Sequence, residues 1–430
     1  MTTSKSNNAK APRLDDDGFV AFDHAAAGHD GVRCNPSGSL IAKPCTAHEI
    51  AFYESSVHHP EFRKHMPTFM GTLSSSDAGQ PLSLPIGTTD GTISTAPSVP
   101  SSGSDTPMPA ELVGQSETVP AVTSLPQEEK EWVPSGGKKL ETGLSIVLEN
   151  VAAGFKRPNV LDVKLGARLW DDKSSLNKRA RLDEVARKTT TGSLGFRIAG
   201  MKVWIGEEAE YKDIIDGELP QEASEECKSK CKIVESEGYR RYDKWYGRSF
   251  NAENVKKGFE AFLAGAKVGK RDHLNIVATR LANELRSVQV ALEGEESRMY
   301  SASILFVYEG DPEAFEHALA NEENKKDVEQ NDSGAEFDEE DLPDDAVEIV
   351  NISVGGETVT EGSFKIEIDA DTAAGLGDLE EDEDEIPHKV HDIRLIDFAH
   401  ATWTPGQGPD ENVLIGVRNL VEIIEKLAEA

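Results

Sequence analysis

Two stretches of this 430-residue chain cannot supply a core, and they decide how the rest must be assembled. From about Leu73 to Gly137 the sequence is rich in Ser, Thr, Pro and Gly, as in TTDGTISTAPSVPSSGSDTPMPAEL. Such a segment buries too little apolar surface to offset its chain entropy. From Asp311 to Lys389 acids dominate, as in GAEFDEEDLPDD and GDLEEDEDE, and blocks of like charge repel. Inside that block only AVEIVNISV and GSFKIEID read as strand-like pieces. Both stretches are expected to be disordered insertions, and closing such loops costs entropy only logarithmically. The fold must then come from what flanks them.

Between the insertions, Pro158–Gly166 reads PNVLDVKLG. Asp162 and Lys164 alternate with Val160, Leu161, Val163 and Leu165, the pattern of a strand with one apolar face and one face carrying an acid and a base. A carboxylate and an ammonium side by side can serve phosphoryl transfer. The plain alternative is a surface ion pair on an edge strand, which these residues alone favour.

Other elements are readable around it. Ser39–Lys43 predicts a strand ending in a lysine, and Leu144–Val151 a buried strand. Thr46–Glu49 forms a capping-box pattern before a helix. Lys178, Arg181, Leu182, Val185 and Lys188 suggest a helix with a basic edge, either a polyphosphate-facing row or a solvated face. Residues 207–237 read as an acidic insertion of variable kind. Val255, Phe259 and Phe262 mark a helix, as do Val277, Leu281, Leu285, Val288 and Leu292. Ile304–Tyr308 and Ile393–Ile396 predict strands, the second ending at Asp397. A last helix starts at Asp410, with its buried stripe at Val413, Val417, Leu420, Ile424 and Leu427.

Charge and cysteine narrow the function. The net charge of −33, from 78 acidic and 45 basic residues, argues against general binding of nucleic acid or an anionic membrane. Cys34, Cys45, Cys227 and Cys231 make no secreted-type framework and are expected to be free thiols. Neither a Walker A pattern, a GxGxxG loop nor EF-hand spacing is present, and there is no apolar run of membrane-spanning length.

PNVLDVKLG matches a PxxxDxKxG signature. With SLGFRIAGMKVW (Ser193–Trp204), SASILFVYEG (Ser301–Gly310) and IRLIDFAH (Ile393–His400), in that order, the chain resembles the inositol phosphate kinase family. Within it the resemblance is greatest to fungal inositol polyphosphate multikinases. The ENV run at Glu149–Val151 and the DFAH ending also resemble inositol hexakisphosphate kinases.

The resemblance implies an α+β, two-lobed kinase fold. Residues 1–18 would be a disordered N-terminus, 19–157 an ATP-binding lobe interrupted at about 73–137, and 158–430 a catalytic lobe interrupted at about 311–389. ATP and Mg²⁺ are the expected cofactors. Lys43 would reach the ATP phosphates, though an exposed strand-end lysine is the reading without the family. Glu49 either closes the capping box, the cheaper reading, or pairs with Lys43. Glu149 and Val151 would hold adenine through main-chain atoms. Asp397 would bind Mg²⁺, and Lys164 would neutralise the moving phosphoryl group. Asp162 would accept the hydroxyl proton, anchor ATP, or do both.

The expected substrate site comprises Lys164 from the signature strand, Lys178 and Arg181 from the basic edge of the predicted helix, Lys202 and Lys244 at positions the resemblance implies, and His400, for which a structural role is equally open. Family alignment adds Arg187, whereas helical spacing favours Lys188. The expected activity is phosphorylation of soluble inositol tris- and tetrakisphosphates. The alternatives are a hexakisphosphate kinase or a non-catalytic scaffold in a transcription complex. Phosphoinositide substrates, transcription-factor partners and a nuclear and cytoplasmic location are also implied.

Overall fold

Among the described residues of this computed structural model, every strand pairs antiparallel with its neighbours. The structure describes residues 19–22, 31–74, 142–207, 212–213, 219–267, 272–332 and 389–429. The first sheet is ordered β1-β2-β3-β5-β4. Its strands are β1 (Val20–Ala21), β2 (Arg33–Cys34), β3 (Leu40–Pro44), β4 (Phe69–Ser74) and β5 (Leu144–Glu149). After β3 come helix α1 (Ala47–Ser55) and the short α2 (Pro60–Arg63).

The second sheet is ordered β13-β12-β6-β7-β10-β9-β8. It holds β6 (Pro158–Leu165), β7 (Phe196–Trp204), β8 (Lys212–Asp213), β9 (Ile233–Ser236), β10 (Tyr239–Tyr242), β12 (Ser303–Glu309) and β13 (His391–Ile396). A small third sheet pairs β11 (Ser297–Met299) with β14 (Ala401–Trp403). The two larger sheets mark the two lobes.

PNVLDVKLG is therefore an interior strand, which removes the edge-strand reading. Against β12, Asp162 faces Leu305 and Lys164 faces Ser303. Against β7, Asp162 faces Gly200 and Lys164 faces Arg197, with a register shift between Asp162 and Val163. Such an irregularity re-aims side chains where it falls.

Helices α3 (Leu176–Lys188) and α4 (Thr190–Leu194) lead from β6 to β7, and α5 (Glu225–Lys230) lies before β9. Helix α6 (Lys244–Arg248) lies on β7 so closely that a Cβ at Gly247 would stand 1.9 Å from the Ile198 carbonyl oxygen. Only glycine fits there. Helix α7 (Lys256–Leu263) and helix α8 (Leu274–Gly294) follow. Helices α8 and α10 (Glu411–Ala428) pack together on the apolar stripes read from the sequence. Asp410 caps α10, its carboxylate accepting from the Asn412 and Val413 amides at 3.1 and 3.4 Å.

The expected disorder at 1–18 and over most of 73–137 and 311–389 lies outside the described residues, as do AVEIVNISV and GSFKIEID. The edges of those stretches differ from expectation. Leu73 and Ser74 belong to β4. Pro312–Asp332 forms helix α9, with Ala314, Phe315 and Ala318 buried. Asp311 caps it, accepting from the Glu313 and Ala314 amides at 3.1 and 3.0 Å. The surrounding acids hid a short apolar stripe at helical spacing. The supposed variable insertion likewise contains α5 and β9, and β9 runs into β10 through Glu237 and Gly238 at φ 51° and 77°. That is the backbone a tight hairpin turn needs. Phe315→Ala is expected to cost about 3 kcal/mol of stability. Thermal unfolding checks this, and an unchanged midpoint would return α9 to the dispensable insertion.

Among the described residues the four cysteines are free, and no helix is long and apolar enough to cross a membrane.

Candidate active site

Asp397 ends β13 with φ +68°, in the left-handed region that a residue with a side chain occupies at a cost of about 1–2 kcal/mol. Strain of this kind persists where the surroundings over-determine it. Here they do. The Lys43 ammonium donates to Asp397 Oδ1 at 2.6 Å, and the Lys164 ammonium donates to Oδ2. Lys164 also donates to Ser303 Oγ at 2.8 Å. Three chain regions separated by both insertions thus converge on one carboxylate.

Glu49 joins them. Its carboxylate accepts from Lys43 Nζ at 2.8 Å and from the Phe398 amide at 3.2 Å. The capping reading of Glu49 is corrected to this extent. Thr46 Oγ1 does accept from the Glu49 amide, at 3.2 Å, but the buried Glu49 side chain is spent on Lys43 and Phe398. Burial alone would lower the Lys43 pKa, yet the charges of Asp397 and Glu49 outweigh it and hold the ammonium protonated. The exposed strand-end reading of Lys43 fails with its burial.

Phe398 fixes the arrangement from behind. It is fully buried, stacked on Phe52 at 4.9 Å and edge-on to Tyr53 and Phe62 at 5.3 and 6.0 Å. Phe52 stacks in turn on Trp403 at 4.5 Å. Helix α1, which carries Glu49, is thereby pinned to the turn that carries Asp397.

Asp162 is buried on the β6 face that also presents Val160 and Lys164. Across the sheet lies Arg197, which sequence reasoning missed. Burial and the nearby Arg248 push its pKa down to about 10, with Asp162 opposing. Arg197 Nη1 donates to Thr191 Oγ1 at 3.1 Å. The available signal was an arginine inside a strand that is apolar apart from Lys202.

Val160 packs with Val151, Val307, Phe155 and Leu305. An apolar patch therefore adjoins the charged cluster along one sheet face. Val151 reaches it from the connection between the lobes. Asn150 shapes that connection, donating from its amide to Ser39 O at 2.8 Å and from Nδ2 to Gly38 O at 2.6 Å. The Glu149 side chain accepts from Thr68 Oγ1 at 2.9 Å, so what it could offer a base is main chain.

Lys178 reaches His400, Nζ to Nε2 at 3.4 Å, and Asp171 holds the other side of that ring, Oδ2 to Nδ1 at 2.7 Å. Arg181 is exposed, and its charge adds to the burial that lowers the Arg248 pKa. Arg187 and Lys188 are both exposed and both bound to Glu184, at 2.8 and 2.9 Å, so the structure separates neither as the contact. Lys202 departs from expectation. It is 1% exposed, with its ammonium 3.9 Å from the centre of the Tyr239 ring, inside the sheet rather than facing a solvated pocket. Lys244 is half-buried in the first turn of α6, behind the Asp243 cap.

Among the described residues no group of three or more His, Cys, Asp or Glu side chains converges to hold a metal. Asp397 still fits Mg²⁺, which takes one or two carboxylates and completes its shell with water and phosphate oxygens. The two ammonium groups beside it suit phosphate as they suit the carboxylate.

The comparisons agree with this geometry. An inositol polyphosphate kinase family model matches residues 145–425. The chain is 32% identical, over 95% of its length and 98% of the other, to the inositol polyphosphate multikinase of Saccharomyces cerevisiae. It is 27% identical to human inositol hexakisphosphate kinase 1 over 66% of this chain and 52% of that one. A crystal structure of the Saccharomyces cerevisiae inositol phosphate multikinase in complex with ADP and Mn²⁺ superposes with a TM-score of 0.51 at 25% identity, covering 90% of this chain and 99% of that one. The chain belongs to the inositol polyphosphate kinase family.

Proposed function

We propose that the protein transfers the γ-phosphoryl group of ATP to hydroxyls of inositol tris- and tetrakisphosphates, at more than one ring position. The observation that carries this is the joining of Lys43, Lys164 and Asp397 into one cluster beside an apolar patch, in a chain similar over nearly its whole length to a multikinase.

The chain's own groups divide the work by position. The patch around Val151 and Val160 suits the adenine base, and the Glu149 and Val151 main chain suits its polar edge. Lys43 holds phosphate charge and is itself held by Glu49. Lys164, steadied by Ser303, neutralises charge on the transferred group. Asp162, two residues away on the same face, takes the proton of the attacking hydroxyl. Mg²⁺, when bound at Asp397, would supply further charge neutralisation on the phosphates.

Inositol phosphate is drawn by Lys178 and Arg181 on α3, with His400 beside Lys178. Arg187 and Lys188 share the single carboxylate of Glu184, so one of their two charges stays unbalanced at the edge of this helix, and buried Lys202 carries no part of this reading. Lys244 contributes charge from α6. Long flexible cations read charge more than geometry, so a ring can bind in several orientations. The hexakisphosphate alternative rests on the lower similarity to hexakisphosphate kinases. The cluster speaks against a scaffold without catalysis. Activity on phosphoinositides, transcription-factor partners and a nuclear and cytoplasmic location follow from the family resemblance alone. Vesicle assays, affinity capture and cell fractionation would respectively test them.

Replacing Lys178 and Arg181 together by Ala is expected to raise the KM for inositol trisphosphate roughly tenfold or more, with little change for ATP. Equal effects on both substrates would move α3 out of the inositol site.

A further inference from the structure

The loop from Gly166 to Ser175 is braced more heavily than a connection between β6 and α3 requires. Asn412 of α10 grips Arg168 twice, accepting from its amide at 2.7 Å and donating to its carbonyl at 3.0 Å. The guanidinium groups of Arg168 and Arg179 lie 3.8 and 4.6 Å from the centre of the Trp170 ring. Trp170 Nε1 donates to Asp183 on α3 at 2.6 Å. Helix α3 buries none of its own residues, so this loop is a main determinant of where α3 sits.

Asp171 is at the centre of the loop. Its Oδ1 accepts from Ser174 Oγ at 2.9 Å, and its carbonyl accepts from the Ser174 amide at 3.1 Å. The remaining oxygen, Oδ2, faces His400 Nδ1 at 2.7 Å. On the opposite edge of that ring, Nε2 faces the Lys178 ammonium at 3.4 Å. A carboxylate accepts only, so Nδ1 carries the proton. An ammonium donates only, so Nε2 presents its lone pair. Both neighbours select the same tautomer and the same ring orientation. Burial would raise the Asp171 pKa, but the hydrogen bonds from Ser174 and His400 and the charge of Lys178 outweigh it and keep the carboxylate ionised.

We propose that Asp171 is a positioning residue for the inositol phosphate, fixing the tautomer and orientation of His400 so that Nε2 and Lys178 together meet the substrate. This rests on the reading of His400 as a substrate contact. It gives the site one rigid, directional element among flexible cations. A side chain held at both edges can favour some orientations of a polyphosphate ring over others, which lysines alone do not do.

The test is steady-state kinetics of the full-length protein with inositol trisphosphate and ATP. Asp171→Ala is expected to raise the KM for inositol trisphosphate roughly tenfold, as loss of a charge-assisted hydrogen bond does, with the KM for ATP within about twofold. Asp171→Asn, whose amide oxygen still accepts from Nδ1, should stay within about threefold of the parent. Ser174→Ala, which removes the turn bond but leaves the contact with His400, should do the same. The double variant Asp171→Ala, His400→Ala should be no worse than His400→Ala.

Multiplying effects in the double variant would overturn the proposal. So would a parental KM in Asp171→Ala when His400→Ala is impaired, because Asp171 would then act independently of the ring. An unimpaired His400→Ala would instead remove His400 from the substrate site and take the proposal with it.

Discussion

Asp397→Asn lowers turnover about a hundredfold or more in a protein that still folds, the cost of removing a positioned charge at a reacting centre. The substitution isolates charge. Asn has the same shape and tolerates the left-handed backbone that residue 397 adopts at φ +68°. What it loses is the anion that gathers Lys43 and Lys164 and that would hold Mg²⁺. Some stability goes too, because two largely desolvated ammonium groups lose a charged partner. Glu49 still holds Lys43 and Ser303 still holds Lys164, so the fold survives. Turnover at saturating substrates, with a thermal melt on the same sample, checks this. Near-parental turnover in the folded variant would remove Asp397 from the reaction.

Phe398→Ala is expected to cost about 3–5 kcal/mol, the range for truncating a fully buried phenylalanine. Its ring is shared among Phe52, Tyr53 and Phe62, so the cavity opens between α1, α2 and the Asp397 turn. The consequence is more than thermal. Glu49 accepts from the Phe398 amide and from Lys43, so loosening that turn frees the carboxylate that places the lysine. The KM for ATP should therefore rise even well below the melting temperature, and Phe398→Leu should recover most of both effects. A large loss of stability with an unaltered KM would make the aromatic cluster purely structural.

Much of this was legible because it is local. Period-two alternation marked β6, and the apolar stripes of α8 and α10 stood out from their polar neighbours. The ionic cluster was legible only in pieces. Lys43, Lys164 and Asp397 could each be named from motifs, but their meeting across 354 residues of chain is a property of topology. Glu49 was misjudged because a capping box satisfies the same residue locally at low cost, whereas its partner amide at Phe398 is remote. Lys202 was named from resemblance alone, which does not show that its ammonium lies over the Tyr239 ring inside the sheet. Helix α9 and the β9–β10 hairpin were lost in charge-rich surroundings, where a few buried positions such as Phe315 are outnumbered by acids.

The most direct measurement is the identity of the products. The protein, incubated with ATP, Mg²⁺ and inositol trisphosphate, should yield tetrakis- and then pentakisphosphate carrying new phosphates at more than one ring position, resolved by chromatography and phosphorus NMR. Under the same conditions the hexakisphosphate should be a poor acceptor. Pyrophosphate formed mainly from the hexakisphosphate, with inositol trisphosphate left unchanged, would contradict the account.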